Sequence, residues 1–335
     1  MNRKHELSLL NIVFCLIVIF IHIASAPVTG LDRQSVAYAV VFLPWRLSAF
    51  VVQGFIFLSG VKMFLGFGKK VNYKKYYLSR AEKIVIPYLI SVCLFYLYFV
   101  WRNYFGFSLS ELIGYAVKGD LVSHFYFVII IVQFYLLRPL WEVMVRRASP
   151  AAAIGTALVI TIAGKVIGQG FVYNDRIFTT YLIYWVIGCY AGAYYELFKE
   201  KISKYHKGIT AAFCVIAAAE AVFSYMHFTG RTIAFIEQLH FVYAVCAIAF
   251  CVVISLRLGD TVMNSSLMQK IDGASYYIYL VHPLVIFEAD RLIDAAGITA
   301  IDTAFILRGI AAYVVTISVC IAYVQMKKVL VSRGK

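Results

Sequence analysis

Ten stretches of roughly 20 mostly apolar residues, each long enough to cross a ~30 Å hydrocarbon layer as a helix, restrict this chain to one class of fold. They cover 7–26, 45–65, 84–101, 125–141, 151–167, 177–197, 209–228, 239–256, 274–293 and 303–325. Lipid offers the backbone no hydrogen bonds, so runs of this length must satisfy their own as helices. The expected fold is all-α and polytopic: about ten transmembrane helices in one integral membrane domain, 1–335. Composition agrees, since 62% of residues are hydrophobic and only 14% charged, against about 25% charged in a soluble domain.

Ten crossings put both termini on one side. With the N-terminus inside, 22 of the 31 basic residues fall on cytoplasmic segments, from Arg3 and Lys4 to Arg333 and Lys335. The other nine are Arg33, Arg46, Arg102, Lys118, Lys165, Arg176, Arg231, Arg291 and Arg308. That bias satisfies the positive-inside rule and predicts cytoplasmic N- and C-termini. "ASA" at 24–26 mimics a signal-peptide cleavage site, but the apolar run exceeds a usual signal and Pro27 follows; an uncleaved first helix is expected. The net charge of +14 raises nucleic acid or acidic lipid as partners. The basic residues cluster between apolar runs and form no nucleic-acid module, which leaves membrane lipid. Cys15, Cys93, Cys189, Cys214, Cys246, Cys251 and Cys320 lie almost entirely within apolar runs, a scatter that fits neither a disulfide framework nor a metal site.

Ionisable groups inside a membrane are expensive and usually face a bundle interior or a wet cavity. His22 sits alone in "VFCLIVIFIHIASA", sixteen residues after Glu6, or about 24 Å along a helix. His282 comes ten residues after Asp272, about 15 Å deep and near the midplane. Its ring has a second reading, because Pro283 follows and frees a carbonyl that the imidazole can satisfy. Arg46, Gln53, Ser59, Gln133, Lys165, Glu220, Glu237, His240, Glu288 and Asp290 complete the polar set. Lys165 and Glu220 are expected to pair across helices. Glu288, placed at a depth similar to His22, is expected to orient that ring. Between runs, Leu109, Leu112, Ile113 and Ala116 have the spacing of a short amphipathic surface helix, with a plain loop as the alternative.

The densest basic patch is "KMFLGFGKKVNYKKYYLSRAEKIVIPY". Lys69 to Lys75 suit topology and attraction to anionic lipid. Arg80 and Lys83, at the expected mouth of the third helix, are placed to grip phosphates of a cytoplasmic donor.

Six segments in order resemble the acyltransferase-3 family of integral membrane acyltransferases, over essentially the full length. They are the run ending in His22, "GFIFLSG" (54–60), "SRAEKIVIPY" (79–88), "HFYFVIIIVQFYLLRPL" (124–140), "YWVIGCYAG" (184–192) and "YYIYLVHPL" (276–284). One position departs: the arginine eleven places before the helix-one histidine is here Asn11, which hydrogen-bonds but carries no charge. The resemblance implies transfer of an acyl group, most often acetyl from acetyl-CoA, to a hydroxyl of an extracytoplasmic or lipid-linked glycan, in a bacterial plasma membrane. Acetyl-CoA would be a co-substrate, with no bound cofactor or metal. His22 would take the acceptor's proton as general base or be acylated itself, with Glu288 and His282 beside it. Asn11, Ser59, Lys62, Arg80 and Lys83 would serve the donor. Ser59, His282, Tyr276, Tyr277 and Tyr279 have the polarity of oxyanion donors. The rival readings are a transporter or flippase of a lipid-linked saccharide, and a membrane sensor without chemistry.

Overall fold

The computed structural model describes residues 4–333; Arg3 and Lys335, both counted above, lie outside them. Every expected run falls on helix, and no strand occurs among the described residues. The first run is His5–Gly30 (α1). The second is broken into Val36–Ser48 (α2) and Val51–Phe64 (α3), with the Ser35 hydroxyl capping α2 by accepting from the Tyr38 N–H. The third starts eleven residues earlier than the apolar run. Asn72 caps Tyr73–Arg80 (α4), which passes through a π-turn, Ala81–Val85, into Ile86–Trp101 (α5) as one 29-residue helix. Pro87 has no N–H for the Lys83 carbonyl, and the wider turn absorbs that defect. Arg80 and Lys83 therefore lie within a continuous helix rather than at its mouth.

Leu109–Lys118 (α6) is the amphipathic helix: the Ser108 hydroxyl accepts from the Glu111 N–H, and Gly119 closes it in the left-handed conformation. Its Leu109, Ile113 and Val117 stand exposed on one face, as suits a helix lying on lipid. The fourth run bends by 58° between Tyr126–Leu136 (α7) and Arg138–Arg147 (α8), where Pro139 opens the second helix. Pro150–Ile167 (α9), Leu182–Ala193 (α10) and Tyr195–Lys204 (α11) follow, then His206–Phe228 (α12), Ile236–Met263 (α13) and Ser266–Ala295 (α14). Ile301–Ile310 (α15) continues through a second π-turn into Thr316–Arg333 (α16). Among the described residues seven helices are long and apolar enough to cross a membrane, eight if the bent pair counts as one span. The two remaining runs differ in kind. Helix α10 has only 12 residues, while α14 has 30 but is diluted by tyrosines, His282 and acidic side chains.

Two compact units form: one from the chain up to Phe55 together with that from Lys199 on, the other from Ile56–Phe198. In the second unit, Gly188 and Gly192 make a small-xxx-small face on α10. A Cβ at Gly188 would collide with the Phe57 carbonyl, and one at Gly192 with the Val61 carbonyl of α3. Such faces let two membrane helices approach closely where no hydrophobic effect drives them together. Beside them Trp185 stacks on Phe134 at 4.4 Å between ring centroids, and the Trp141 indole N–H donates to the Phe134 carbonyl.

In the first unit α1 packs against α13, α14 and α2. Ile12, Cys15, Ile19 and Ile23 of α1 join Ile271, Ala274, Ile278 and Ile286 of α14 in one core cluster. Two buried charge groups accompany it. The Glu220 carboxylate, fully buried, accepts from Arg46 Nε at 2.9 Å, His240 Nδ1 at 2.8 Å and Ser224 Oγ at 3.2 Å. Arg308 pairs with Asp290. The partners of Glu220 are thus Arg46 and His240, where the sequence pointed to Lys165. Three of the nine basic residues that break the positive-inside bias, Arg46, Arg291 and Arg308, are paired with carboxylates in this unit.

Candidate functional site

Along α1, Asn11, Cys15 and His22 are spaced by four and seven, which puts them on one helical face. Along α14, Asp272, Ser275, Tyr279 and His282 follow the same rule. The two faces meet. Asn11 Nδ2 donates to Asp272 Oδ1 at 2.9 Å and to Ser275 Oγ at 2.7 Å. Cys15 Sγ lies 3.6 Å from the Ser275 carbonyl, and the rings of His22 and His282 sit 5.0 Å apart, centroid to centroid, at 54°. Contacts advance along both helices in the same direction, so α1 and α14 run parallel.

The pairing corrects the depth read from sequence. His282 had been counted from Asp272, but α14 begins at Ser266, sixteen residues before His282, the same interval that separates Glu6 from His22. The two histidines are level. Asp272 lies inside the helix, where its carboxylate accepts from Asn11 Nδ2 while Ser275 Oγ donates to the Asp272 main-chain carbonyl at 2.9 Å. Glu288, six residues beyond His282, is about 9 Å further along the axis and about 240° round it. The expectation that it shares the depth of His22 does not hold, and its carboxylate accepts from Arg291 Nε at 2.8 Å.

His282 is fully buried, and its Nδ1 lies 2.8 Å from the Tyr279 carbonyl and 3.1 Å from that of Ile278. A carbonyl only accepts, so Nδ1 carries the proton and, in the neutral ring, Nε2 carries the lone pair. The Tyr279 carbonyl is the one left over by Pro283, four residues on. The structural role read from "VHPL" is therefore real, and it fixes the tautomer of the ring beside His22. His22 itself is half-buried, the more accessible member of the pair. Among the tyrosines considered as oxyanion donors, Tyr276 stacks on Tyr279, while Tyr277 meets Tyr323 edge-on and its hydroxyl accepts from Lys327 Nζ at 3.3 Å.

In the second unit, Ser59 is half-buried and Lys62 and Lys83 are exposed. The Arg80 guanidinium lies 5.2 Å from the Tyr76 ring and 4.8 Å from that of Tyr135. Sequence reasoning missed its companion, Arg138, whose guanidinium lies 4.4 Å from the same Tyr76 ring. The available signal was weak: one more arginine beside a proline. No cluster of three or more metal-ligating side chains occurs among the described residues.

The family model for acyltransferase-3, described as an acyltransferase domain, matches residues 4–325. The chain is 22% identical over 307 residues to proteins named "Probable poly-beta-1,6-N-acetyl-D-glucosamine export protein" from Staphylococcus aureus strains MSSA476, MW2 and N315, covering 84% of this chain and 82% of each relative. No solved structure matches.

Proposed function

Since the chain belongs to the acyltransferase-3 family of multi-pass membrane proteins, we propose that it transfers an acyl group, acetyl first among them, from a cytoplasmic acyl-CoA to a hydroxyl of an extracytoplasmic or lipid-linked glycan in a bacterial plasma membrane. The observation that carries this reading is the histidine pair: an accessible His22 backed by a buried His282 whose tautomer is set by the Tyr279 carbonyl. In the proposed step His22 accepts the proton of the acceptor hydroxyl while that oxygen attacks the thioester carbonyl. A C–O bond forms, the C–S bond breaks, and the imidazolium returns its proton to the departing thiolate. His282 acts as a positioning residue that holds the His22 ring. The orienting role first given to Glu288 passes to it, and Glu288 with Arg291 is left towards the acceptor end. Asn11 anchors α1 to α14 in place of the family's arginine. Donor phosphates fall to Arg80, with the exposed Lys62 and Lys83 as further cations and Ser59 as a polar group on α3.

The test is thiol release from acetyl-CoA by the purified protein, with and without acceptor glycan. A His22→Ala variant should lose at least ~100-fold, the lower range of what a general base contributes, while remaining folded. Undiminished transfer by that variant would remove His22 from the chemistry.

A second reading, export of a poly-N-acetylglucosamine-type polysaccharide, is favoured by the name of the Staphylococcus relatives and by the breaks between α2 and α3 and between α7 and α8, since interrupted helices are common in transporters. Polysaccharide leaving the cell without any consumption of acyl-CoA would support it over transfer.

A further inference from the structure

We propose that Arg138, Lys69 and Lys70 build a phosphate-binding pocket in the second unit, closed on one side by the glycine loop 65–71. It rests on the acyl-CoA reading for its natural ligand, but its geometry stands independently. Two guanidiniums gather on the ring of Tyr76, Arg138 at 4.4 Å and Arg80 at 5.2 Å. Neither has an ion pair among the described residues, and Arg138 Nε is buried without a hydrogen-bond partner there. Arg138, Lys69 and Lys70 around one cavity are like charges, whose mutual repulsion a bound anion would relieve. Cation–π contact with Tyr76 and Tyr135 holds the groups in place and leaves their N–H edges to donate.

Arg138 also lines a cavity of about 150 Å³ with Lys69, Lys70, Glu142 and the loop residues Gly66 and Gly68. The one carboxylate there is already engaged: Glu142 accepts from Arg146 at 2.8 Å and from the Tyr73 hydroxyl at 2.9 Å. The field in the cavity is therefore positive. Gly66 and Gly68 adopt φ of 74° and 101°, left-handed conformations that glycine takes without strain where the loop turns along the cavity. Phe67 between them is fixed by the Arg146 guanidinium at 5.0 Å from its ring. A planar fork and two ammonium groups together suit a tetrahedral oxyanion with several acceptor oxygens. The ligand chemistry is a phosphate ester, supplied by the nucleotide end of the acyl donor or by an anionic lipid headgroup.

The experiment measures binding of coenzyme A, of inorganic pyrophosphate, and of phosphatidylglycerol against phosphatidylcholine, to the full chain in neutral detergent. It compares wild type with Arg138→Ala, Arg138→Lys, the Lys69→Ala/Lys70→Ala double variant and, as a control outside the cavity, Arg147→Ala. Thermal unfolding of each variant establishes that it is folded. The proposal expects Arg138→Ala to weaken pyrophosphate and its natural ligand about tenfold or more, as loss of a charge-assisted contact does. Arg138→Lys should recover part of that, and Arg147→Ala should change nothing. Loss confined to coenzyme A assigns the pocket to the donor. Loss confined to phosphatidylglycerol assigns it to lipid and counts against its donor role while leaving the pocket standing. Equal binding of every phosphate probe by wild type and a folded Arg138→Ala, or no binding to wild type at all, overturns the pocket without touching His22.

Discussion

His282 serves two masters within its own helix and across it. Its Nδ1–H stands in for the N–H that Pro283 cannot offer to the Tyr279 carbonyl, and its ring lies against His22. Truncation and substitution should therefore part company. His282→Ala leaves a buried carbonyl without its donor, at about 1–3 kcal/mol, and should lower the thermal midpoint together with activity. His282→Asn keeps an N–H donor but gives up the imidazole, so the protein should stay folded while kcat falls and the KM for donor holds. A drop in KM-dependent terms alone would contradict the positioning role. Asn11 gives a second test at this scale. It donates to Asp272 at 2.9 Å, so Asn11→Asp sets two carboxylates face to face and should destabilise the α1–α14 seam, read as an earlier melt in detergent. Asn11→Arg meets a carboxylate and should melt no earlier than wild type.

Helices in this chain were legible because lipid demands long apolar runs, and their surroundings were not, because contacts between distant runs leave no trace in local pattern. Asp272 looked like the start of a helix, as charges usually mark ends; a partner that holds it inside α14, Asn11, is 261 residues away in sequence. Arg138 read as one more cytoplasmic cation, with nothing in its neighbourhood to announce Tyr76. Conversely, the glycines of "YWVIGCYAG" and "GFIFLSG" were noticed as motif and turn out to be packing. Gly188 and Gly192 admit the backbone of α3 so closely that a Cβ would meet a carbonyl. Gly188→Val should therefore force α3 from α10 and cost on the order of 1–3 kcal/mol, the usual penalty of overpacking, measured as lost thermal stability of the detergent-solubilised protein. A variant that melts with wild type would show that the two helices are not held at this contact.

At the scale of the whole chain the question is sidedness, and the parallel run of α1 and α14 turns it into a sharp test. Two parallel spanning helices must be separated by an even number of reversals, so their starts share one side of the membrane and their ends share the other. The positive-inside bias assigns the starts to the cytoplasm. Cysteines introduced at Lys4 and Ser265, just before α1 and α14, should then react with a membrane-impermeant maleimide only after the cells are opened. Cysteines at Asp32 and Gly297, just beyond the two helices, should react in intact cells. Background is manageable: Cys15, Cys189 and Cys320 are buried, and the exposed Cys93 and Cys214 lie mid-helix within spanning segments, where lipid excludes a charged reagent. The outcome reaches beyond topology. If Asp32 and Gly297 label from opposite sides, α1 and α14 cannot run parallel through one bilayer, the two histidines cannot stand at one depth, and the positioning of His22 by His282 does not survive.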